Sequence, residues 1–415
     1  MSDRTLFEIQ QLQFRDRARA SQLLKEFLNE TLPFAIADVT VRPQAVSLNS
    51  INGFLTTADG DRQFFKTHVE PQSIIHEYYN STILAEAGYP VIQPIYSSTE
   101  WGKQLLIYDY FSAPSLFDVS REIELGKRYD ADRVLAAQQH ADDCLWDIYR
   151  QTLSWLSAEE HARSPVHQLF FHRLTGGRYA EFYCGKQIAF PGAEFDFERI
   201  ASWQWRINDR AYSEPLAAVI DRAIARLNPT RADVPAIIGH GDAHNGNVFW
   251  DGDRGESGEL IYFDPAFAGR HSPFLDLAKP LFHNVFAIWM YFPREIAAEL
   301  EIRWELQGET LVVEHDFVPS ELRIGFLRSK LEHVLKPLLF ELRLRGWLDP
   351  NWRDDLKLAL FCCPFLTMNL ADSQKFPPEI ALLGLAIAME MAAVSEPPSR
   401  LDTELDRLGI GDNRS

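Results

Sequence analysis

The stretch that decides the reading is residues 237–278. It opens Ile237-Ile238-Gly239-His240-Gly241-Asp242-Ala243-His244-Asn245-Gly246-Asn247-Val248-Phe249-Trp250, passes through a polar turn, and resumes as Leu260-Ile261-Tyr262-Phe263-Asp264-Pro265-Ala266-Phe267. The apolar runs Ala236–Ile238, Val248–Trp250 and Leu260–Phe263 predict strands, and the Gly/Asp/Glu/Ser-rich segment between the last two predicts a hairpin. Asp242 and Asn247 then lie in a loop, and Asp264 closes the second strand. A rigid hairpin can gather these two carboxylates and one amide. Oxygen donors of this kind suit Mg²⁺, a hard cation that takes oxygen ligands and keeps several waters.

The spacing resembles the aminoglycoside phosphotransferase/choline kinase family, in which a loop H-G-D-x-x-x-x-N is followed one hairpin later by a metal-binding Asp. His240, Gly241, Asp242, Asn247 and Asp264 match it residue by residue, and Gly269 and Asp276-Leu277-Ala278 match the downstream pattern. The resemblance implies an α+β, bilobal protein-kinase-like fold. A small antiparallel β-sheet lobe with one helix would occupy residues 1–111, including an N-terminal helix and the hinge. A larger, mainly helical lobe would occupy 112–415 and carry the catalytic loop 238–250 and the metal-binding segment 260–278. The implied activity is ATP- and Mg²⁺-dependent transfer of the γ-phosphate to a hydroxyl of a small molecule. One departure is Asp264-Pro265-Ala266, where protein kinases have Asp-Phe-Gly. Proline fixes φ and removes an N–H, so a stiff segment is expected and not a flipping switch.

Toward the N-terminus, apolar residues at helical spacing (Leu6, Ile9, Leu12, Phe14, Leu23, Leu24, Phe27) predict one amphipathic helix over 5–28, leaning on the small lobe or offered to a partner. Strands follow over Val39–Leu48, Phe54–Thr57 and Gln63–His68, with Ala58-Asp59-Gly60-Asp61 as a tight hairpin turn. The polar stretch Asn49-Ser50-Ile51-Asn52-Gly53 is either a plain turn or, around Ser50, a loop offering backbone N–H groups to phosphate. Lys66 in the third strand reads alone as a solvated edge residue. The helix predicted over Pro71–Gly88 carries Glu77, and the resemblance then casts Lys66 as the ligand of the donor phosphates with Glu77 orienting it. Glu86 is the rival partner, less favoured at a helix C-terminus. The strand Gln104–Phe111 leads to the hinge, and the resemblance puts the adenine edge on the backbone of Asp109, Tyr110 and Phe111.

Beyond Ser112–Pro114, helices are predicted over Ala131–Leu156 and Pro215–Leu227. Between them, residues 164–205 are rich in aromatic side chains and hold Arg173 and Arg178, as a substrate cap or as a packing element. Leu311–Val318 predicts a short strand, and the rest of the C-terminal part is expected to be helical. In the implied chemistry Asp242 accepts the hydroxyl proton, Asn247 and Asp264 bind Mg²⁺, and Lys66 holds the donor phosphates. His240 is expected to pack and fix the loop. His244 is expected either to touch the γ-phosphate or substrate or to shape the loop. Asp276 is expected to take N–H groups of the catalytic loop.

Composition narrows the partners. The 415 residues are 46% hydrophobic, enough for a sizeable core, and carry a formal charge of −18. That charge argues against a broad nucleic-acid surface, which needs a basic patch, and is compatible with an amine-bearing substrate. Ala381–Val394 is apolar but short for a membrane span and contains Glu390, so it reads as a buried helix. The N-terminus lacks the apolar core of a signal peptide and the four cysteines form no C-x-x-C pair, so a cytoplasmic location is expected. Three other readings stand beside the kinase: a metal-dependent phosphoesterase, suggested by Asp242-Ala243-His244 but lacking that chemistry's further motifs; a catalytically silent scaffold; and a nucleotidyl-transferring relative.

Overall fold

The computed structural model describes residues 3–42, 50–68, 80–100 and 102–410. The chain divides into two compact units, Met1–Ala113 with Ile261–Ala266, and Pro114–Leu260 with Phe267–Ser415. Ile261–Ala266, from the segment expected to bind metal, groups with the first unit.

The first unit is built on an antiparallel sheet of β1 (Ile36–Val41), β2 (Ser50–Thr57), β3 (Arg62–His68), β4 (Tyr96–Ser98) and β5 (Leu105–Asp109), in the order β1-β2-β3-β5-β4. Side chains alternate across a strand, and the sheet uses both faces. One buries Val41, Ile51, Phe65 and Ile107 against two helices, α1 (Asp3–Leu12) and α2 (Arg17–Thr31), through Leu6, Ile9, Leu24 and Phe27. The other bears Phe64, Leu106 and Tyr108, packed with Phe263, and Lys66, which is the register partner of Leu106.

Two expectations need correction here. The single helix over 5–28 is two helices, because Asp16 accepts a hydrogen bond from the Arg19 N–H at 3.0 Å and starts a new one; Phe14 falls in the break and is exposed. The polar stretch ending at Gly53 is not a free loop: Ser50 to Gly53 belong to β2 and pair with His68 to Phe65. Gly53 read as a turn signal, but it is a strand glycine beneath the Phe65 ring, where a Cβ would lie 2.8 Å from Cζ. The first strand is described over Ile36–Val41; residues 43–48 of the predicted strand lie outside the described residues. Gly60 turns the β2–β3 hairpin at φ +94° as its sequence requires. The predicted helix ending at Gly88 is seen over 80–87, with Gly88 at φ +102°. Glu77 lies outside the described residues.

The second unit is mainly helical. The helices Pro273–His283, Trp352–Leu366 and Pro378–Ala392 are almost wholly buried and form its centre. Glu390 is carried by the last of these, and burial pushes its carboxyl up to about 7. Among the described residues no helix is long and apolar enough to cross a membrane. A five-stranded sheet was not foreseen: Ile302–Gln307, Thr310–His315, Gln204–Ile207, Arg210–Tyr212 and Ser395–Glu396 lie side by side in that order. It joins the aromatic-rich region to the hairpin around residue 308 through a parallel pairing of Gln204–Ile207 with Thr310–Val313. A smaller antiparallel sheet of Gly269–His271, Val234–Gly239 and Ser154–Leu156 carries the loop of interest at the end of its central strand.

Candidate active site

In the first unit, Lys66 and Asp264 are far apart in sequence and close in space, with Lys66 Nζ 3.1 Å from Asp264 Oδ1. Two features bring Asp264 there. Tyr262 is tied to the segment after the 80–87 helix by Tyr262 N–H to Pro90 O at 2.8 Å and Ile92 N–H to Tyr262 O at 3.0 Å. Phe263 packs edge-on against Phe64 and Tyr108, with ring centroids 6.0 and 5.3 Å away. The buried Asn80 then donates its amide to the Ala266 carbonyl at 3.2 Å. Asp264 itself has φ +54°, a left-handed backbone that costs a non-glycine residue about 1–2 kcal/mol. The Lys66 side chain is mostly enclosed, at 12% exposure, whereas Asp264 keeps 38%. Asp109 ends β5 opposite Gln63, and Tyr110 follows it, stacked on by the Arg62 guanidinium at 4.4 Å; Phe111 comes next, leading out of the unit.

In the second unit, the strand Val234–Gly239 runs into His240-Gly241-Asp242, a 3₁₀ turn covers Asn245–Asn247, and Val248–Asp251 begins the hairpin with Glu259–Tyr262. Asp276 pins this loop. Its Oδ1 accepts the Gly241 N–H at 2.5 Å and lies 3.0 Å from His271 Nε2, and its Oδ2 accepts the Tyr149 hydroxyl. Burial opposes ionisation of Asp276, but these hydrogen bonds hold its carboxyl below the ordinary range. Gly241 is required twice over: its φ is +79°, and a Cβ would sit 2.5 Å from the Phe267 carbonyl oxygen. His240 is fully buried, and its Nδ1 faces the Asp242 N–H at 3.4 Å, the loop-fixing role expected of it. His244 Nδ1 accepts the Gly246 N–H at 3.1 Å, so one ring nitrogen is committed to loop shape. The Asn245 N–H donates to Asn284 Oδ1 at 2.7 Å, and buried Arg323 holds the Asn284 carbonyl at 3.0 Å.

Asp242 Oδ1 is enclosed and takes no hydrogen bond; its nearest cation is Lys279 Nζ at 3.9 Å. Asn247 donates its amide N–H to the Asp242 carbonyl at 3.0 Å, and no hydrogen bond to its amide oxygen is found among the described residues. The candidate Mg²⁺ donors can be tested on this chemistry. An amide oxygen kept open by its own N–H bond and a half-exposed carboxylate are oxygen donors, as a hard cation needs. Mg²⁺ commonly binds through one or two protein oxygens, with phosphates and waters making up the rest.

Two polar residues near Asp242, Lys279 and His283, were not singled out by their positions in the sequence. Lys279 follows Asp276-Leu277-Ala278 directly and is almost fully buried. Its Nζ lies 3.4 Å from both His283 Nε2 and Thr367 Oγ1, and burial lowers its pKa against the opposing pull of Asp242. His283 contacts the Tyr291 hydroxyl at 2.9 Å and is held neutral by burial beside Lys279. Arg173 and Arg178, from the aromatic-rich region, also feel this cluster. The available signal was the helical spacing of Asp276, Lys279 and His283, three polar side chains on one face of an otherwise apolar helix.

The profile of the phosphotransferase enzyme family matches residues 180–310, a span that holds Asp242, Asn247 and Asp264 but not Lys66. No curated protein matches the chain. Among solved structures, an ethanolamine kinase of Plasmodium vivax is similar at 11% identity and a TM-score of 0.46, over 92% of each chain. A macrolide 2'-phosphotransferase of Brachybacterium faecium is similar at 12% identity and a TM-score of 0.40, over 96% of this chain and 99% of that one. A thermostable mutant of an aminoglycoside phosphotransferase is similar at 12% identity and a TM-score of 0.43, over 93% and 99%.

Proposed function

We propose that this protein is a phosphotransferase that moves the γ-phosphate of ATP to a hydroxyl group of a small molecule. The observation that carries the reading is the approach of Lys66 and Asp264 to 3.1 Å on one face of an antiparallel sheet. A strand lysine paired with an acidic residue from a distant segment is a charge arrangement suited to a polyphosphate and its cation. The match of residues 180–310 to a phosphotransferase family supports the same reading.

Asp242 and His244 are the proposed catalytic residues. Asp242 accepts the hydroxyl proton and holds the acceptor oxygen in line, a contribution of roughly 10²–10⁴-fold in rate for a positioned base. His244 shapes the loop that presents it. Lys66 binds the donor phosphates, and Glu77 is proposed to orient it. The backbone of Asp109, Tyr110 and Phe111 is proposed to meet the adenine edge. Asn247 and Asp264 would hold Mg²⁺, which when bound offsets phosphate charge that repels the incoming oxygen. Ser50, the first residue of β2, is proposed to meet the donor phosphates through its backbone N–H.

A screen of metabolite pools for nucleotide consumption tests the proposal. With the wild-type protein, ATP and Mg²⁺, at least one pool is expected to release ADP above background. Asp264→Asn, which removes a charged oxygen at the proposed metal and phosphate site, is expected to release none from that pool. Equal ADP release by the variant would contradict the assignment of Asp264.

A further inference from the structure

The sign of the charge around Asp242 is opposite to that of the chain. The protein carries a formal −18, yet the charged side chain in ion-pair reach of this carboxylate is a buried lysine. Lys279 Nζ is 3.9 Å from Asp242 Oδ1, and its other two partners, His283 and Thr367, are neutral. Arg178 Nη1 donates to the backbone carbonyls of Leu366 and Thr367 at 3.1 and 2.7 Å. Thr367 thus ties Arg178 to Lys279 through one residue. Arg173 is half-buried, its Nη1 is enclosed without any hydrogen-bond partner, and its charge is coupled to Asp242 on one side and to Arg178 and Lys279 on the other. Among the described residues neither arginine has a carboxylate within ion-pair distance; the exposed Glu181 acts on Arg178 only through space.

Lys279 thus lies within ion-pair distance of Asp242, Arg173 is near enough to feel its charge, and Arg178 is tied to Lys279 through Thr367. Burying a guanidinium with an unmatched N–H is costly unless a charge of opposite sign arrives to meet it. A planar guanidinium with free N–H groups is also suited to bidentate capture of a carboxylate or phosphate.

We infer that the acceptor is an alcohol bearing an anionic group, a carboxylate or a phosphate ester, held by Arg173 and Lys279 so that its hydroxyl meets Asp242. Arg178 is a positioning residue that fixes the Thr367 segment against which Lys279 rests. The inference rests on the phosphotransferase reading and replaces the amine-bearing acceptor that the total charge suggested: an ammonium brought beside Lys279 and Arg173 meets repulsion, whereas an anion relieves it.

The test separates acceptor class from activity. Binding of gluconate and glycerol 2-phosphate (anionic), glycerol (neutral) and choline (cationic) is measured calorimetrically on the full chain with Mg²⁺ and a non-hydrolysable ATP analogue, and phosphoryl transfer to each is then measured with ATP. An anionic member is expected to bind at least tenfold more tightly than the neutral and cationic ones. Arg173→Ala and Lys279→Met are each expected to weaken that binding at least tenfold, with the KM for ATP unchanged and Arg173→Lys recovering part of the loss. Thermal unfolding of each variant distinguishes lost binding from lost folding. Tighter binding of choline or glycerol, no binding of either anion, or anion binding indifferent to Arg173→Ala would overturn the inference. So would a rise in the KM for ATP in place of the acceptor effect, since the anion would then be the terminal phosphate of the nucleotide. Transfer to glycerol or choline alone would sink the anionic acceptor and leave the phosphotransferase standing. Arg173-dependent anion binding with no transfer to any acceptor would do the reverse.

Discussion

Asp242→Asn is expected to lower the rate of phosphoryl transfer by roughly 10²–10⁴-fold, the range for losing a positioned general base, while ATP binds as in the wild type. The side chain keeps its size, so the loop retains the Gly241 N–H bond to Asp276 and the Asn247 bond to the Asp242 carbonyl. What is lost is the negative charge, on a side chain that is 17% exposed and whose Oδ1 takes no hydrogen bond among the described residues. Nucleotide affinity is assigned to Lys66 and Asp264, which the substitution does not touch. Single-turnover ADP formation and an ATP titration on the same preparation check both halves. A fall in nucleotide affinity as large as the fall in rate would mean that Asp242 acts by holding the structure and not by accepting a proton.

The second large effect is on stability. Asp276→Ala is expected to destabilise the protein by about 3–5 kcal/mol, the range for removing one member of a buried charged network. The Asp276 carboxylate serves the Gly241 N–H, the Tyr149 hydroxyl and the His271 ring together, and alanine leaves all three facing an empty volume. Asp276→Asn retains an acceptor oxygen and is expected to cost less. Because the folded carboxyl is held below the ordinary aspartate value by its hydrogen bonds, its contribution is fully present above that ordinary value and is lost as pH falls through the lower folded one. The gap between wild type and Asp276→Ala is thus constant near neutrality and narrows in acid. Urea midpoints across that range measure it. A destabilisation below about 1 kcal/mol, the scale of one ordinary hydrogen bond, would show that the loop does not depend on this residue.

What the sequence reveals and what it hides follow from where the side chains sit. Asp242, Asn247 and Asp264 draw the eye because polar residues are packed there into short loops between apolar runs, and Asp276 because it stands in the first turn of an apolar helix. Lys66 is legible only with the rest, since a strand lysine by itself reads as solvated; in the structure it is 12% exposed and meets Asp264, a residue far along the chain. The break between α1 and α2 rests on one Asp16 hydrogen bond that an apolar periodicity does not register. Gly53 misleads because a glycine in a strand beneath an aromatic ring and a glycine in a turn leave the same letter. The second five-stranded sheet depends on a parallel pairing of Gln204–Ile207 with Thr310–Val313, for which local sequence carries no mark. Lys279 lies in an almost wholly apolar helix, and Arg173 in a region where aromatic residues dominate, so the cationic surroundings of Asp242 emerge only in three dimensions.

The most direct test follows the label. The protein is incubated with Mg²⁺, an accepted alcohol and ATP labelled at either the γ- or the α-phosphate, and the acceptor is isolated. The account predicts γ-label on the acceptor hydroxyl with one ADP formed per label transferred, and no transfer of α-label. Transfer of α-label with release of pyrophosphate would make the protein a nucleotidyl transferase, and γ-label recovered only as inorganic phosphate would contradict transfer to an alcohol altogether.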